Sequence, residues 1–271
     1  MTNSAKRTPL EHYRGGSGEP LLLLHGATSS WRCWESMLPD LVGCYDVLAP
    51  NLPGHAGQPG LKPFTIERAA DALEILMDEA GFATAHIAGN SLGGWLAMEL
   101  ARRGRARSVV LLSPAGGWTS DEVRVPALFR SMRRGTQLGG KVLPAAMRVQ
   151  ALRRILMRLV CEHGDRMTPE QAAAGIEDVL ACTLFDEMPE RLEAQSEPFG
   201  DLGIPILLAW GTSDRVLTIP RYSDPWRRLL PTATWRTYPG VGHVPMLDNP
   251  ALVSRAIIDW SAPAAADCRA S

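Results

Sequence analysis

No run of about 20 apolar residues occurs in this chain, so no segment is suited to cross a bilayer as a helix. The longest strongly apolar runs, 20–24 and 204–210, are only strand-sized. Residues 1–14 are polar and contain no apolar core of a secretory signal, which makes a cytoplasmic location the expectation. Cysteine is scarce and odd in number: Cys33, Cys44, Cys161, Cys182 and Cys268 have no paired spacing, so neither a disulfide framework nor a zinc site is expected and the thiols read as reduced. An excess of either charge is lacking too. With 28 basic and 29 acidic side chains the net charge is −1, which removes the broad attraction that non-specific nucleic-acid binding needs. Only Lys6, Lys62 and Lys141 are lysines, a bias that reads as genome composition rather than function.

What is present describes a compact protein. The 271 residues are 45% hydrophobic and 21% charged, enough for one large domain or two small ones with a substantial core. Over the first hundred residues β-rich runs alternate with helical periodicity. Residues 11–14 suit an edge strand, and 21–24, 45–49, 85–88 and 108–113 suit buried strands. Residues 31–41, 66–80 and 92–103 read as helices, the second with Thr65 as its cap and Gly81 at its end. Apolar runs without alternation indicate strands covered on both faces, as in a parallel sheet. From 118 to 200 no convincing strand occurs, only helical stretches such as 141–160 and 168–182. Strand and helix then resume with 205–210, 220–230, 233–238 and a last helix entered through Asn249 and Pro250. The pattern predicts an α/β fold with a mostly parallel sheet flanked by helices, its core formed by 1–117 and 201–271 and split by an inserted all-helical cap at 118–200.

The chemistry starts at Gly89-Asn90-Ser91-Leu92-Gly93, which sits between a strand and a helix. In that context a serine projects from a tight turn, and the helix behind it leaves backbone N–H groups free for developing negative charge. The plain alternative is a glycine-rich turn with a bystander serine. A serine hydroxyl needs a base, and the base an acid that holds its tautomer. Asp214 follows the strand at 205–210 and His243 the strand at 233–238, giving the chain order Ser91, Asp214, His243. Asp201 and Asp248 are reserve carboxylates with poorer loop placement. His25 and His55 lie in Gly/Pro turns where bonding to backbone is the simpler role, while His12, His86 and His163 have no partner pattern. Residues 135–141 resemble a phosphate loop only faintly, because Val142 stands where magnesium would need a hydroxyl. Oxyanion donors are expected at the N–H groups of Leu92 and Ala27.

Leu24-His25-Gly26, Leu52-Pro53-Gly54-His55, Gly89 to Gly94, Trp210 to Asp214 and Gly240 to His243 together resemble the α/β-hydrolase fold family, specifically serine hydrolases with a helical cap. The resemblance covers about 11–260, apart from the cap interior. It implies a mostly parallel eight-stranded sheet, with the usual first strand in question at the short N-terminus, and it implies the nucleophile, acid, base and oxyanion roles at the positions named. Dehalogenases and epoxide hydrolases of this fold place an aspartate at the nucleophile position, so Ser91 argues against both. The Asn90-Ser91 and Gly93-Gly94 pairs resemble the elbow of carbon–carbon bond hydrolases of ring-cleavage products. Those usually carry tryptophan after the histidine, where Val244 stands here.

The leading expectation is a cofactor-independent and metal-free esterase acting on a small or medium, apolar ester through an acyl-enzyme on Ser91. Trp31, Trp34, Trp95, Trp118 and Val244 are candidates for the substrate pocket, with core or cap packing as the alternative for each tryptophan. Alternatives are a carbon–carbon hydrolase, a thioesterase or cyclase on a carrier-bound acyl chain, and a non-catalytic ligand-binding member of the fold. Charge in the cap is segregated. Nine basic and no acidic residues lie in 124–158, whereas ten acidic residues in 162–197 face only Arg166 and Arg191. Either the two halves pair across the cap, or the basic half steers an anionic substrate or an acidic carrier protein.

Overall fold

The computed structural model describes residues 11–118, 122–140, 142–188, 191, 193 and 198–261. Seven strands, β1 (His12–Gly15), β2 (Glu19–Leu24), β3 (Tyr45–Pro50), β4 (Ala85–Asn90), β5 (Ala106–Leu112), β6 (Ile206–Gly211) and β7 (Thr234–Tyr238), form one sheet in the order β1-β3-β2-β4-β5-β6-β7. Only β1 runs antiparallel to its neighbour. The helices are α1 (Leu38–Leu41), α2 (Ile66–Glu79), α3 (Leu92–Arg102), α4 (Arg124–Gly139), α5 (Val142–Ala146), α6 (Gln150–Leu156), α7 (Pro169–Ala181), α8 (Leu184–Glu187), α9 (Ser223–Leu229), α10 (Pro245–Asp248) and α11 (Pro250–Ser261).

The four leucines of β2 show why the sheet reads as unbroken apolar runs. Leu22 and Leu24 enter the core on the side of α2 and α3, while Leu21 and Leu23 enter the core on the side of α11, and all four are fully buried. Successive side chains point to opposite faces, and both faces are covered by helices, so no position on the strand favours a polar residue. The same division holds for Val109 and Leu111 against Val110 and Leu112 of β5.

Helix ends follow local chemistry. Thr65 accepts from the N–H of Arg68 at 3.2 Å and so caps α2, and Thr168 and Gln171 form a reciprocal capping box on α7. The stretch at 31–41 is tighter than expected: Trp31–Met37 is a 3-10 helix started by Ser30, and α1 follows directly. The helical stretch expected at 141–160 is two short helices, α5 and α6, with Met147, Arg148 and Val149 in the turns between them. The thiols also depart from expectation: Cys33, Cys161 and Cys182 are free, but Cys44 is disulfide-bonded.

The strand order positions the site. β3 lies to one side of β2 and the later strands run out from β4 on the other, so the crossovers reverse between β2 and β4. At such a reversal the connections leave in opposite directions and open a crevice beyond the strand ends. The loop at 25–30 leaves β2 there, and Ser91 follows β4. Close approach of the two turns requires glycine: a Cβ on Gly93 would collide with the backbone carbonyls of Leu24 and His25.

Two glycine substitutions test this packing. Gly93→Ala is expected to cost about 1–3 kcal/mol, because backbone rather than a flexible side chain must move. Gly135→Ala, inside α4 with nothing within 4 Å of its Cβ, is expected to gain about 0.5–1 kcal/mol. Urea denaturation of both variants measures the difference, and equal effects would contradict the packing account.

Candidate active site

Ser91 occupies the turn between β4 and α3 with φ 54° and ψ −115°, a conformation strained for a residue with a Cβ. Hydrogen bonds over-determine it. The Ser91 N–H donates to Leu112 O at 3.0 Å, and Ser91 O accepts from the N–H groups of Gly94, Trp95 and Ala115 at 3.0, 3.2 and 2.9 Å. The residue is buried at the carboxyl edge of the sheet.

Asp214 lies in the turn after β6. Its Oδ1 accepts from the N–H groups of Val216 and Leu217 at 2.9 and 2.8 Å, and its Oδ2 lies 2.8 Å from Nδ1 of His243, in the loop after β7. The carboxylate is fully buried and the imidazole 3% exposed. A carboxylate can only accept, so Nδ1 carries the proton and Nε2 is the ring nitrogen left to act as a base. That Nε2 is buried without a hydrogen-bond partner among the described residues, and the Ser91–His243 hydrogen bond is therefore not made here. Catalytic hydrogen bonds of unliganded sites are often long and tighten on binding.

The serine and histidine loops are nevertheless fastened together. Asn90 donates from Nδ2 to Leu112 O and to His243 O, both at 2.9 Å. Both partners are carbonyls, so only the amide nitrogen can face them. The sequence marked Asn90 as part of the turn motif, and nothing in it signals a contact across 153 residues. Ala27 and Leu92 line the same pocket as Ser91, and neither N–H makes a loop or turn backbone hydrogen bond among the described residues.

The remaining sequence candidates divide clearly. His25 places Nδ1 2.7 Å from Gly26 O and accepts from the Leu52 N–H at Nε2, while burial and the neighbouring His55 hold its pKa well below 6.5. His55 contacts Pro53 O through Nδ1, and burial pushes its pKa down to about 4. Both rings are thus neutral fasteners of the turns that carry them. His86, near the start of β4, bridges Ser108 and Glu19. Trp95 and Trp118 line the pocket beside Ser91 and meet edge to face at 5.4 Å. Trp31, Trp34 and Val244 do not line it: Trp34 is fully buried in the core on the side of α11, Trp31 lies beside Tyr13, and the Val244 N–H donates to Val160 O. The pocket has other apolar walls that no motif announced, chiefly Phe129 of α4 stacked at 5.2 Å on Phe185 of α8, with Val125, Leu184 and Met188. Its volume is about 30 Å³. Among the described residues no group of three or more His, Cys, Asp or Glu could hold a metal ion.

The reserve carboxylates serve the backbone. Asp201 is exposed and accepts from the Gly203 N–H in a turn. Asp248, at the end of α10, is buried and accepts three backbone N–H groups: Gly242 at 2.6 Å, Glu162 at 3.0 Å and His163 at 2.6 Å. One of these immediately precedes His243, and the other two belong to the segment between α6 and α7. Arg215, next to Asp214, adds an ion pair with Glu162 and donates to Arg158 O. Both loops that bear the acid and the histidine are therefore bolted to the same stretch of the helical segment.

Comparisons with known proteins agree with this architecture. A family model described as the alpha/beta hydrolase family matches residues 21–256. Epoxide hydrolase EphH of Mycobacterium tuberculosis is 34% identical over 212 residues, 74% of this chain and 97% of that protein. A pimeloyl-[acyl-carrier protein] methyl ester esterase of Neisseria meningitidis is 30% identical over 237 residues, 84% of this chain and 72% of that protein. Among solved structures, the meta-cleavage product hydrolase of Pseudomonas fluorescens IP01 superposes with a TM-score of 0.72 at 22% identity, covering 92% of this chain and 93% of that one.

Asp248→Ala would leave three N–H groups, the buried one of Gly242 and the part-buried ones of Glu162 and His163, without their acceptor. It is expected to lower unfolding stability by at least about 3 kcal/mol, whereas Asp201→Ala should change it by less than about 0.5 kcal/mol. Denaturant melts of the two variants decide whether Asp248 is the bolt described.

Proposed function

The chain belongs to the alpha/beta hydrolase family, and from that premise we propose that it is a serine hydrolase cleaving a carboxylic ester through an acyl-enzyme on Ser91. The observation that carries this reading is the buried Asp214–His243 hydrogen bond, in a loop whose His243 carbonyl is tied to Asn90, the residue that precedes Ser91 in its strained turn. Nε2 accepts the Ser91 proton as Oγ attacks the ester carbonyl, and Asp214 stabilises the imidazolium that results. The developing oxyanion takes hydrogen bonds from the N–H groups of Ala27 and Leu92. Collapse of the tetrahedral intermediate passes the proton from Nε2 to the leaving alcohol, and water repeats the sequence to release the acid. No step calls for a metal or an organic cofactor.

Residues 118–200 act in this reading as a cap on the core formed by 1–117 and 201–271. Their Phe129–Phe185 stack forms one wall of the apolar pocket beside Ser91, the side from which an acyl group would be met. The epoxide hydrolase relative does not carry its activity here, because Ser91 stands where enzymes of that kind in this fold place an aspartate. Carbon–carbon cleavage of a ring-fission dienoate is the second reading. It is favoured by the Asn90-Ser91 turn and is separable by assay of a dienoate beside an aryl ester.

Ser91→Ala is expected to abolish fluorophosphonate labelling and to lower aryl-ester kcat on the order of 10⁶-fold. Asp214→Asn should cost about 10⁴-fold, by analogy with the serine-protease triad. Residual turnover above a tenth of the unmodified protein's in Ser91→Ala would remove the assignment. Phe129→Ala should shift the preference among p-nitrophenyl esters from acetate toward hexanoate by at least about tenfold in kcat/KM. An unchanged chain-length profile would separate the stack from the acyl site.

A further inference from the structure

The helical segment between β5 and β6 presents a surface that the hydrolytic site does not use. Of the ten large hydrophobic residues exposed among the described residues, six lie between 138 and 156: Leu138, Val142, Val149, Leu152, Ile155 and Leu156. Leu138, at the end of α4, is 90% exposed, Val142 at the start of α5 is 75% exposed and Ile155 of α6 is 67% exposed. None of the six lines either cavity described for this chain. Scattered single hydrophobics on a surface are ordinary, but a concentration in one short stretch marks a contact surface.

The charge around these side chains is of one sign. No acidic residue occurs from 123 to 161, and Arg134, Arg148, Arg154 and Arg158 are exposed there. Pairing with the acidic half of the segment is incomplete. Arg133 meets Asp186 at 2.7 Å and Arg154 meets Asp165 at 3.9 Å, whereas Arg134 and Arg148 have no ion pair among the described residues. The cations therefore remain available to an outside partner.

We infer that the outer face of α4, α5 and α6 docks on an anionic phospholipid surface. Protruding aliphatic side chains flanked by arginines suit that occupant, since the aliphatic groups enter the acyl boundary while the guanidinium groups stay at the phosphates. A second copy of the chain on a two-fold axis would bring this basic patch against itself, at an electrostatic cost. An acidic protein would satisfy the arginines but would also have to supply an apolar face for six exposed aliphatic groups. No helix among the described residues is long and apolar enough to cross a membrane, so the contact is peripheral. The geometry also relates docking to the site. Phe129 and Leu138 lie on the same helix, about 14 Å apart along its axis, so an ester drawn from the lipid would arrive one short helix from the apolar pocket.

Co-sedimentation of the full chain with phosphatidylcholine vesicles, with and without phosphatidylglycerol, at low and high salt, tests the inference. The expected result is binding at least about tenfold stronger to the phosphatidylglycerol vesicles, weakened by salt. Two double variants, Ile155→Glu with Leu156→Glu and Arg134→Glu with Arg148→Glu, should each lose at least about tenfold in that binding. Fluorophosphonate labelling and hydrolysis of a soluble short ester should be unchanged in both, which keeps this result separate from that of the esterase reading. Equal or absent binding to the two vesicle types would overturn the inference. So would self-association abolished by the Ile155/Leu156 variant, or capture of an acidic carrier protein with no binding to vesicles.

Discussion

The contact between the turn that leaves β4 and the end of β2 is the constraint on which the rest of the molecule depends. Gly93 lies so close to the carbonyls of Leu24 and His25 that no side chain fits. That approach sets the loop carrying Ala27 beside the start of α3, and it holds Ser91 in a backbone conformation that an isolated peptide would leave. The strain is maintained by four backbone hydrogen bonds to Ser91, from β5, the loop after it and α3. The same frame brings Ala27 and Leu92 to one pocket with Ser91.

Two buried aspartates divide the electrostatic work by the partners they are given. Asp214 spends one oxygen on backbone N–H groups and keeps the other for an imidazole. Asp248 spends both on backbone and has no oxygen left for a side chain. A buried carboxylate is tolerable only when its lone pairs are satisfied, and each of these is. The two uses differ in consequence: one sets a tautomer, the other fixes how the helical segment sits against the histidine loop. Asn90 completes the fastening from the serine side.

The helical segment has two faces with different partners. Toward the core, Val125, Phe129, Leu184 and Phe185 line an apolar pocket. Toward solvent, exposed aliphatic side chains stand with arginines, of which Arg134 and Arg148 have no ion pair among the described residues. Burial decides the first face and charge the second. A short helix with apolar residues on both sides cannot bury both within one domain of this kind, which is why the outer side calls for a partner beyond the chain.

Much of this was legible in the linear chain, and the boundary has a physical origin. Strands at the β2, β5 and β6 positions could be read because strands covered on both faces carry unbroken apolar runs, Leu21 to Leu24, Val109 to Leu112 and Ile206 to Trp210. The Gly89 to Gly94 turn could be read because its close approaches call for glycine, and the strand-end placement of Ser91, Asp214 and His243 could be read because each follows a strand. Residues whose role comes from a distant partner could not be read. The Asn90 amide meets His243 O, Asp248 gathers N–H groups from Glu162 and His163, and Trp34 packs into the core while Trp95 reaches the pocket. Local propensity and periodicity are set by near neighbours in sequence, whereas these assignments are set by which surfaces meet when the chain closes. The sequence by itself determined the α/β architecture and the three strand-end candidates. Only the tertiary structure decided which carboxylate faces the imidazole, which tryptophans wall the pocket and which side of the helical segment is left to the solvent.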